Sequence, residues 1–174
     1  MPHQIPLSNS TEVALVDHDD LALLSQWSWY RNEPKQGYVY AARSKRIASN
    51  NWRPMYMHRE ILKPPDGIMV DHINHDGLDN RRANLRLATP SQNRANVRRL
   101  TVSSSGFRGV SFHINRGDYI AQIRKDGKGI FLGYFDSPLE AARAYDQAAQ
   151  ELHGEFAVLN FPTSGEVRQM EMFT

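Results

Sequence analysis

Four polar side chains near the middle of this 174-residue chain have the types and the spacing that cutting a phosphodiester requires. They are the adjacent pair Asp71 and His72, followed by Asn84 and Asn93. Hydrolysis of a phosphodiester needs a base that takes a proton from water, and a cation that holds negative charge on the phosphate. A neutral imidazole can be that base, and a carboxylate together with an amide oxygen can hold the cation. The pattern therefore predicts a site that cleaves phosphodiesters.

Each of the four residues also has an ordinary structural interpretation. Asp71 could cap a turn, Asn84 could be a turn residue, and Asn93 could be a plain residue of a first helical turn. His72 could be a core histidine whose hydrogen bonds are satisfied inside the protein. Chemistry is favoured because the four residues occur in order within one short segment.

Two further histidines compete with His72 for a role. His75 is predicted to lie in a loop, and His58 is predicted to pack against the site or to support it. A zinc site made of His58, His72 and His75 is possible, although nothing in their spacing favours it. A carboxylate and an amide form a hard oxygen site, which suits Mg²⁺ because that ion keeps several waters and takes phosphate oxygens as ligands.

The surrounding sequence predicts the elements that hold these side chains. Apolar residues 68–70 form a short strand that leads into Asp71, and residues 85–87 form a second strand. The polar, glycine-containing segment between them is typical of a loop. Thr89 followed by Pro90 is typical of a helix start, because proline fits the first helical position. This helix is predicted to run to about Arg99.

The segment from His58 to Asn96 resembles the HNH homing endonuclease family, which has a ββα-metal fold and includes phage and intron-encoded members. The resemblance implies that Asp71 is a metal ligand and that His72 is the general base. It also implies that Asn84 fixes the loop and the base by hydrogen bonds, and that Asn93 completes the metal site. The implied cofactor is Mg²⁺ or another divalent cation such as Mn²⁺.

Positive charge is concentrated beside this segment. Between Asn80 and Gly117 there is no acidic residue and no lysine, yet there are eight arginines. Arginine matches phosphate oxygens and base edges in geometry, so the stretch predicts contact with nucleic acid. The DNA contacts expected here come from Arg94 and Arg98, which share one face of the predicted helix, and from Arg99. The connector from Ala95 to Ser105, rich in arginine and then in serine, would follow the DNA backbone.

The C-terminal part carries a second pattern. Residues 107–112, 119–124 and 130–134 each read as a strand, with Gly117-Asp118 and Asp126-Gly127 at the turns between them. A helix is predicted from Ser137-Pro138 to Gly154, with small residues along one side. The prediction is a three-stranded antiparallel sheet covered by one helix, with the other sheet face open to enter a DNA groove.

This second segment resembles the plant ethylene-response-factor (APETALA-like) DNA-binding domain in the strings FRGV, YIAQIR, FLGYF and SPLEAARAYDQAAQELHG. The resemblance implies that Arg108, Gly109, Arg124 and Phe131 contact DNA. The predicted DNA-binding set also includes Tyr119 and Gln122. Because several positions depart from the plant pattern, the plant target sequence is not assumed.

The predicted fold class is α+β, with a ββα-metal HNH nuclease module followed by a three-stranded antiparallel sheet packed on one helix. The predicted divisions are an α+β lead-in belonging to the nuclease domain, the nuclease core, a linker, the second DNA-binding domain and a tail, at residues 1–53, 54–100, 101–105, 106–162 and 163–174. The absence of cysteine excludes disulfides and thiolate zinc sites. No stretch approaches the ~20 apolar residues of a membrane span, and no export signal is apparent, so a bacterial or phage-infected cytoplasm is expected.

Together the two patterns predict a site-specific DNA endonuclease of the HNH homing type that acts on double-stranded DNA. No obligate protein partner is inferred, and the oligomeric state stays open. The alternative is a non-catalytic, sequence-specific DNA-binding regulator that keeps a vestigial nuclease fold. An RNA-directed function is disfavoured because the predicted sheet lacks the exposed paired aromatics that stack on unpaired bases.

Overall fold

The computed structural model describes residues 2–35, 37–97 and 104–162. The chain divides into two compact units, Met1–Pro90 and Ser91–Thr174, and each is described by itself. Both contain antiparallel sheets and few helices, which confirms the predicted α+β class. Arg98, Arg99, most of the predicted linker and the predicted tail lie outside the described residues. Within the described part of the chain, no helix has the length and apolarity to cross a bilayer.

The first unit begins with a two-stranded sheet, a short helix and a three-stranded sheet of order β3-β4-β5. In chain order these elements are β1 (His3–Pro6), β2 (Val13–Val16), α1 (His18–Leu24), β3 (Tyr30–Lys35), β4 (Tyr38–Ala48) and β5 (Asn51–Tyr56). All neighbouring strands are antiparallel. Val16, Leu24 and Trp29 lie in the main apolar cluster, and the indole of Trp29 donates to the carbonyl of Leu24 at 2.8 Å.

The predicted irregular lead-in therefore contains a regular sheet over residues 30–56. The sequence obscured it because Pro54 and several charged side chains interrupt the expected alternation of apolar and polar residues. Proline is tolerated there because β5 is an edge strand, where a missing N–H costs no ladder hydrogen bond. Within this sheet the buried residues are Ala41 and Ala42 of β4, and Ala41 belongs to the main apolar cluster.

The rest of the first unit surrounds the predicted site. α2 (Met57–Leu62) precedes β6 (Met69–His72), which pairs antiparallel with β7 (Leu85–Ala88). A short 3₁₀ turn, Arg82–Asn84, leads into β7. α3 (Pro90–Ala95) follows in the chain and, apart from Pro90, is counted in the second unit, so the predicted sequence order of strand, loop, strand and helix is present.

α3 differs from its prediction in length, because it ends at Ala95 rather than near Arg99. The carbonyl oxygens of Ala95 and Val97 accept hydrogen bonds from the guanidinium of Arg108 at 2.9 and 2.7 Å. The Arg108 guanidinium therefore replaces the backbone N–H groups that a further helical turn would have offered to the carbonyls at the end of α3.

The second unit is the predicted helix on a sheet. β8 (Val110–His113), β9 (Asp118–Lys125) and β10 (Lys128–Phe135) form an antiparallel sheet of order β10-β9-β8, and α4 (Pro138–His153) covers one face. α4 begins as predicted, with the Ser137 hydroxyl accepting from the backbone N–H of Leu139 at 3.2 Å.

Small side chains allow α4 to lie close to the sheet. Ala141, Ala142 and Ala149 are fully buried, and the first two pack with Val110 and Ala121. The first strand begins at Val110 rather than at Phe107. Gly106 and Gly109 both have positive φ, which makes the preceding residues a turn instead of extended backbone.

Candidate functional site

Strand pairing places the first two predicted site residues. Asp71 and His72 end β6, directly opposite Arg86 and Leu85 of β7. Both residues are buried, each with 6% of its surface exposed to solvent. A carboxylate and an imidazole that deep need polar partners, since an unpaired buried charge is costly.

Asn84 ties together the two ends of the loop that separates the strands. Its side-chain oxygen accepts from the backbone N–H of Asn74 at 3.0 Å, and its amide nitrogen donates to the carbonyl of Asp79 at 2.7 Å. Its own carbonyl accepts from the backbone N–H of Ile73 at 2.9 Å. Because these contacts close the loop next to His72, Asn84 has the geometry expected of the loop-fixing residue.

Asp79 and Asn80 also hold the loop, and the sequence did not single them out. Asp79 accepts two hydrogen bonds from the guanidinium of Arg81, both at 2.7 Å, and one from the Asn74 amide at 2.9 Å. Burial alone would raise the pKa of Asp79, but its bonds and attraction to Arg81 lower that pKa overall. Asn80 is completely buried, and its N–H donates to the carbonyl of Leu15 on β2 at 2.8 Å. No sequence signal separates these two residues from an ordinary polar loop.

Arg86 is a further site residue that sequence reasoning treated only as part of a basic stretch. Its Nε donates to Oδ2 of Asp71 at 2.9 Å, and both side chains are nearly buried. The pair lies directly across the β6–β7 ladder. Pairing the two predicted strands in register would have placed them opposite each other. The contact fixes the orientation of the carboxylate predicted to bind metal.

Aromatic rings surround His72. The His58 ring meets the His72 ring edge-on, with centroids 4.9 Å apart, and Tyr56 stacks in parallel on His58 at 5.5 Å. Tyr40 lies 5.9 Å from His72. Nδ1 of His58 is buried and has no hydrogen-bond partner among the residues that the structure describes. His58 therefore packs directly against the predicted base.

This environment favours neutral imidazoles. Burial, with smaller contributions from His72 and Arg59, holds the pKa of His58 well below its ordinary value of 6.5. Burial also lowers the pKa of His72, although the Asn80 side chain and the nearby carboxylates of Asp71, Asp76 and Asp79 oppose that effect. A neutral imidazole is the form that can accept a proton.

The structure separates the remaining candidates from this group. His75 is an exposed loop residue with φ of 65°, as its loop prediction requires. Among the described residues there is no group of three or more His, Cys, Asp or Glu side chains able to hold a metal, so a zinc site of His58, His72 and His75 is not formed. Asn93 is half-buried on α3 and belongs to the second unit, so its approach to Asp71 stays a prediction.

The second unit gathers several of the predicted DNA-binding residues. Gln122 and Arg124 alternate with buried Ala121 and Ile123 on β9, so they occupy the sheet face away from α4. The structure has a cleft of about 440 Å³ whose lining includes five of the predicted residues: Arg94, Arg108, Gly109, Gln122 and Arg124. Phe131 lies opposite Gln122 on β10 and is 57% exposed.

The open face also carries an aromatic pair that the sequence analysis did not anticipate. The Phe131 and Tyr134 rings are both exposed, with centroids 5.0 Å apart, and the Arg116 guanidinium lies 4.1 Å from the Tyr134 ring centre. The prediction from the sequence that this sheet lacks exposed paired aromatics is therefore wrong. It failed because a bulge between Phe131 and Gly133 shifts the alternation, which brings Tyr134 to the face of Phe131.

Three of the predicted DNA-binding residues, two of which also line the cleft, have structural roles inside the unit. The Arg108 guanidinium donates to the Tyr145 hydroxyl at 2.8 Å in addition to its two carbonyl bonds. Gly109 has φ of 74°, and a Cβ there would lie 2.0 Å from the Tyr145 ring. Tyr119 packs with the cluster beneath α4, on the face opposite Gln122. DNA contacts by these three residues stay predictions, and the structure accounts for all three without DNA.

Comparison with known proteins agrees with the two patterns. Residues 63–95 match the family described as HNH endonuclease, and residues 105–155 match the AP2 domain. The chain is 35% identical over 153 residues to an uncharacterized HNH endonuclease of Acanthamoeba polyphaga mimivirus, covering 84% of this chain and 74% of that protein.

Two other relatives match parts of the chain. Protein 3.8 of Escherichia phage T7 is 32% identical over 93 residues, covering 53% of this chain and 76% of that protein. The dehydration-responsive element-binding protein 2A of Arabidopsis thaliana is 45% identical over 64 residues, which are 36% of this chain but only 19% of the plant protein. The plant likeness therefore concerns one domain.

Proposed function

Since this chain belongs to the HNH endonuclease family, we propose that it is a metal-dependent, site-specific DNA endonuclease with His72 as its general base. The observation that carries the proposal is the buried Asp71-His72 pair at the end of β6, beside a loop closed by Asn84. The AP2-like unit supplies sequence recognition on double-stranded DNA. Phosphate contacts position a protein on DNA, whereas base contacts specify the site, so the two units divide these tasks.

The donor types fit a divalent cation such as Mg²⁺ or Mn²⁺. Asp71 offers a carboxylate whose orientation Arg86 fixes, and Asn93 would add an amide oxygen. Hard oxygen donors of this kind are the ligands that Mg²⁺ prefers, and with only two protein ligands several waters would remain. A bound cation would stabilise the negative charge that develops on the cleaved phosphate.

The protein's own residues account for the proton transfer. One imidazole nitrogen of His72 accepts a proton from water as the water oxygen attacks phosphorus. The bond from phosphorus to the leaving oxygen breaks, and that oxygen keeps the electron pair and takes a proton from solvent. The low pKa of His72 keeps the imidazole neutral and ready to accept that proton. Asn84 holds the loop beside the base, and His58 supports the His72 ring from the side.

A specific observation favours the alternative, a non-catalytic regulator. Arg86 already pairs with one oxygen of the Asp71 carboxylate at 2.9 Å, an oxygen that a metal ion would otherwise contact. A vestigial site retained as a scaffold would show the same closed ion pair. The exposed Phe131–Tyr134 pair also favours single-stranded nucleic acid as a second candidate target of the second unit, because exposed aromatic rings can stack on unpaired bases.

Cleavage of a randomised duplex DNA library by the full chain, with Mg²⁺, Mn²⁺ or EDTA, tests the proposal. The expected result is metal-dependent cutting at a recurrent sequence, read by sequencing the ends. Sequence-selective binding without cutting in any divalent metal would establish the regulator instead. Preferential binding and cleavage of RNA would replace DNA as the substrate.

A further inference from the structure

The β4–β5 ribbon of the first unit is a surface without an assigned role. Every residue from Ser44 to Pro54 is exposed, including Trp52 at 59% and Ile47 at 47%. A large apolar ring held this far in solvent gains nothing from the core. The exposed Trp52 ring beside basic side chains is available to contact a partner.

The charge of this segment favours an anionic partner. No acidic residue occurs between Pro34 and Arg59, and the six cations are Lys35, Arg43, Lys45, Arg46, Arg53 and Arg59. Two of them are engaged inside the unit, because Arg43 pairs with Glu60 and Arg59 donates to the Ile68 carbonyl. Within the described ranges, no ion pair joins Lys45, Arg46 or Arg53 to an acid.

The register of the ribbon sorts these residues onto two faces. Directly opposite residues share a face, and alternate residues of a strand share a face. The tyrosine face contains Tyr40, Ala42, Ser44, Arg46, Trp52, Pro54 and Tyr56. The reverse face contains Arg43, Lys45, Ile47, Arg53 and Met55.

The tyrosine face is continuous with the candidate nuclease site. At its inner end Tyr40 and Tyr56 contact the ring of His58, and Tyr40 also approaches His72. The loop between β6 and β7 lies against the same strand, since a Cβ on Gly77 would fall 2.1 Å from the Val39 carbonyl and 2.6 Å from the Tyr40 ring. A substrate bound at His72 therefore has this face beside it.

We propose that the tyrosine face binds the duplex DNA flanking the cut phosphate, with Arg46 on a backbone phosphate and Trp52 against the neighbouring sugars. This inference rests on the proposed function only for the identity of the substrate. Arg46 lies four residues beyond Ala42, a distance of about 13 Å along a strand. That span corresponds to about four base pairs, since each rises about 3.4 Å along the helix axis. A contact at Arg46 would therefore lengthen the stretch of duplex DNA that the first unit covers by about four base pairs beyond the nuclease site.

The reverse face provides a stringent control because it is also exposed and carries two exposed cations, Lys45 and Arg53, where the tyrosine face carries one, Arg46. The test compares Arg46→Ala/Trp52→Ala with Lys45→Ala/Arg53→Ala, each made in the full chain. Affinity for a labelled mixed-sequence duplex is measured by fluorescence anisotropy in EDTA, which stops cleavage, over a range of salt concentrations. Circular dichroism checks that both variants keep their fold.

We expect the tyrosine-face pair to weaken duplex binding at least about tenfold and to reduce the salt slope by about 1, as loss of one phosphate contact requires. The reverse-face pair should change affinity by less than about threefold, although it removes two charges instead of one. An equal or larger loss from the reverse-face pair would overturn the inference. So would tighter binding of a single strand than of the duplex at this face.

The outcome is separable from that of the proposed function. If neither the wild type nor a variant cuts DNA but the tyrosine-face pair still loses duplex affinity selectively, the duplex contact of the ribbon stands and the nuclease proposal fails. If wild type cuts DNA and the tyrosine-face pair binds and cuts equally well, the nuclease proposal stands and the ribbon inference fails.

Discussion

The two units place their polar chemistry in opposite ways. In the first unit His58, Asp71, His72, Asp79 and Asn84 are all buried, with hydrogen bonds and ring contacts that fix their positions. In the second unit the candidate DNA-reading side chains, Gln122, Arg124 and Phe131, are exposed on a sheet whose other face is sealed by α4. A proton-transfer site requires fixed groups shielded from bulk water, whereas a reading surface must present its groups to a partner.

The largest effect should come from removing the buried base. His72→Ala should lower the rate of DNA cleavage by about 10²–10⁴-fold, the usual contribution of general base catalysis, while leaving DNA binding largely intact. Single-turnover cleavage and anisotropy measure the two quantities. The control is His75→Asn, which alters the exposed neighbouring histidine at a positive-φ position that asparagine tolerates. Wild-type cleavage by His72→Ala would remove the imidazole from the mechanism.

The next effect concerns the sealed face of the second unit. Gly109→Ala should destabilise that unit by about 3–5 kcal/mol, because the methyl group would overlap the Tyr145 ring and the backbone is left-handed. Gly117→Ala is the matched control, since its φ of 76° is similar but no atom of the described residues lies within 4 Å of the added carbon. It should cost only about 1–2 kcal/mol. Denaturant unfolding compares the two variants, and equal costs would show that the close approach to Tyr145 is unimportant.

A smaller effect is expected on the open face. Arg124→Ala should weaken binding to the preferred DNA sequence by about 1–3 kcal/mol and change binding to unrelated DNA less. Lys125→Ala, the exposed residue beside it on the other side of the strand, should weaken both kinds of binding alike. Competition binding with specific and unrelated duplexes measures the difference. If Arg124→Ala reduces both equally, Arg124 contacts phosphate and reads no base.

The smallest effect should be a pH dependence of thermal stability that is present in the first unit. The folded-state pKa of His58 lies below its unfolded value near 6.5, so folding favours the neutral form. The resulting stability is complete above pH 6.5 and is lost as the pH falls through the lower folded pKa. Thermal unfolding should show the first unit weakening in this range, and His58→Phe should reduce that dependence. An unchanged profile in this variant would assign the acid sensitivity to other groups.

Local patterns in the sequence were sufficient to predict many of the strands and helices of this molecule. The strands around Asp71 and Leu85, and the helix that begins at Ser137-Pro138, follow from alternation, capping and loop composition over a few neighbouring residues. The polar positions of the site follow from residue type and spacing. The strand assignments and family resemblances are supported, whereas the chemical roles of the residues stay proposals.

The remaining features depend on contacts between distant segments. Arg86 becomes part of the site through strand register, His58 through packing of α2, and Asn80 through a hydrogen bond to β2. The Phe131–Tyr134 pair depends on a bulge that breaks the two-residue period. Arg108 reads as a DNA ligand in sequence, but its hydrogen bonds to Tyr145, Ala95 and Val97 appear only in three dimensions.

The attachment of the site loop to the N-terminal segments limits how this nuclease can be dissected. Leu15 on β2 donates a backbone hydrogen bond to Leu78 and accepts one from Asn80. Two guanidinium nitrogens of Arg82 donate to the Asp20 carboxylate at 2.7 and 2.8 Å. A fragment cut to the family-matched residues 63–95 would leave these anchors behind. Transferring the proposed cleavage activity to another DNA-binding domain would therefore require the polypeptide from its first strand onward.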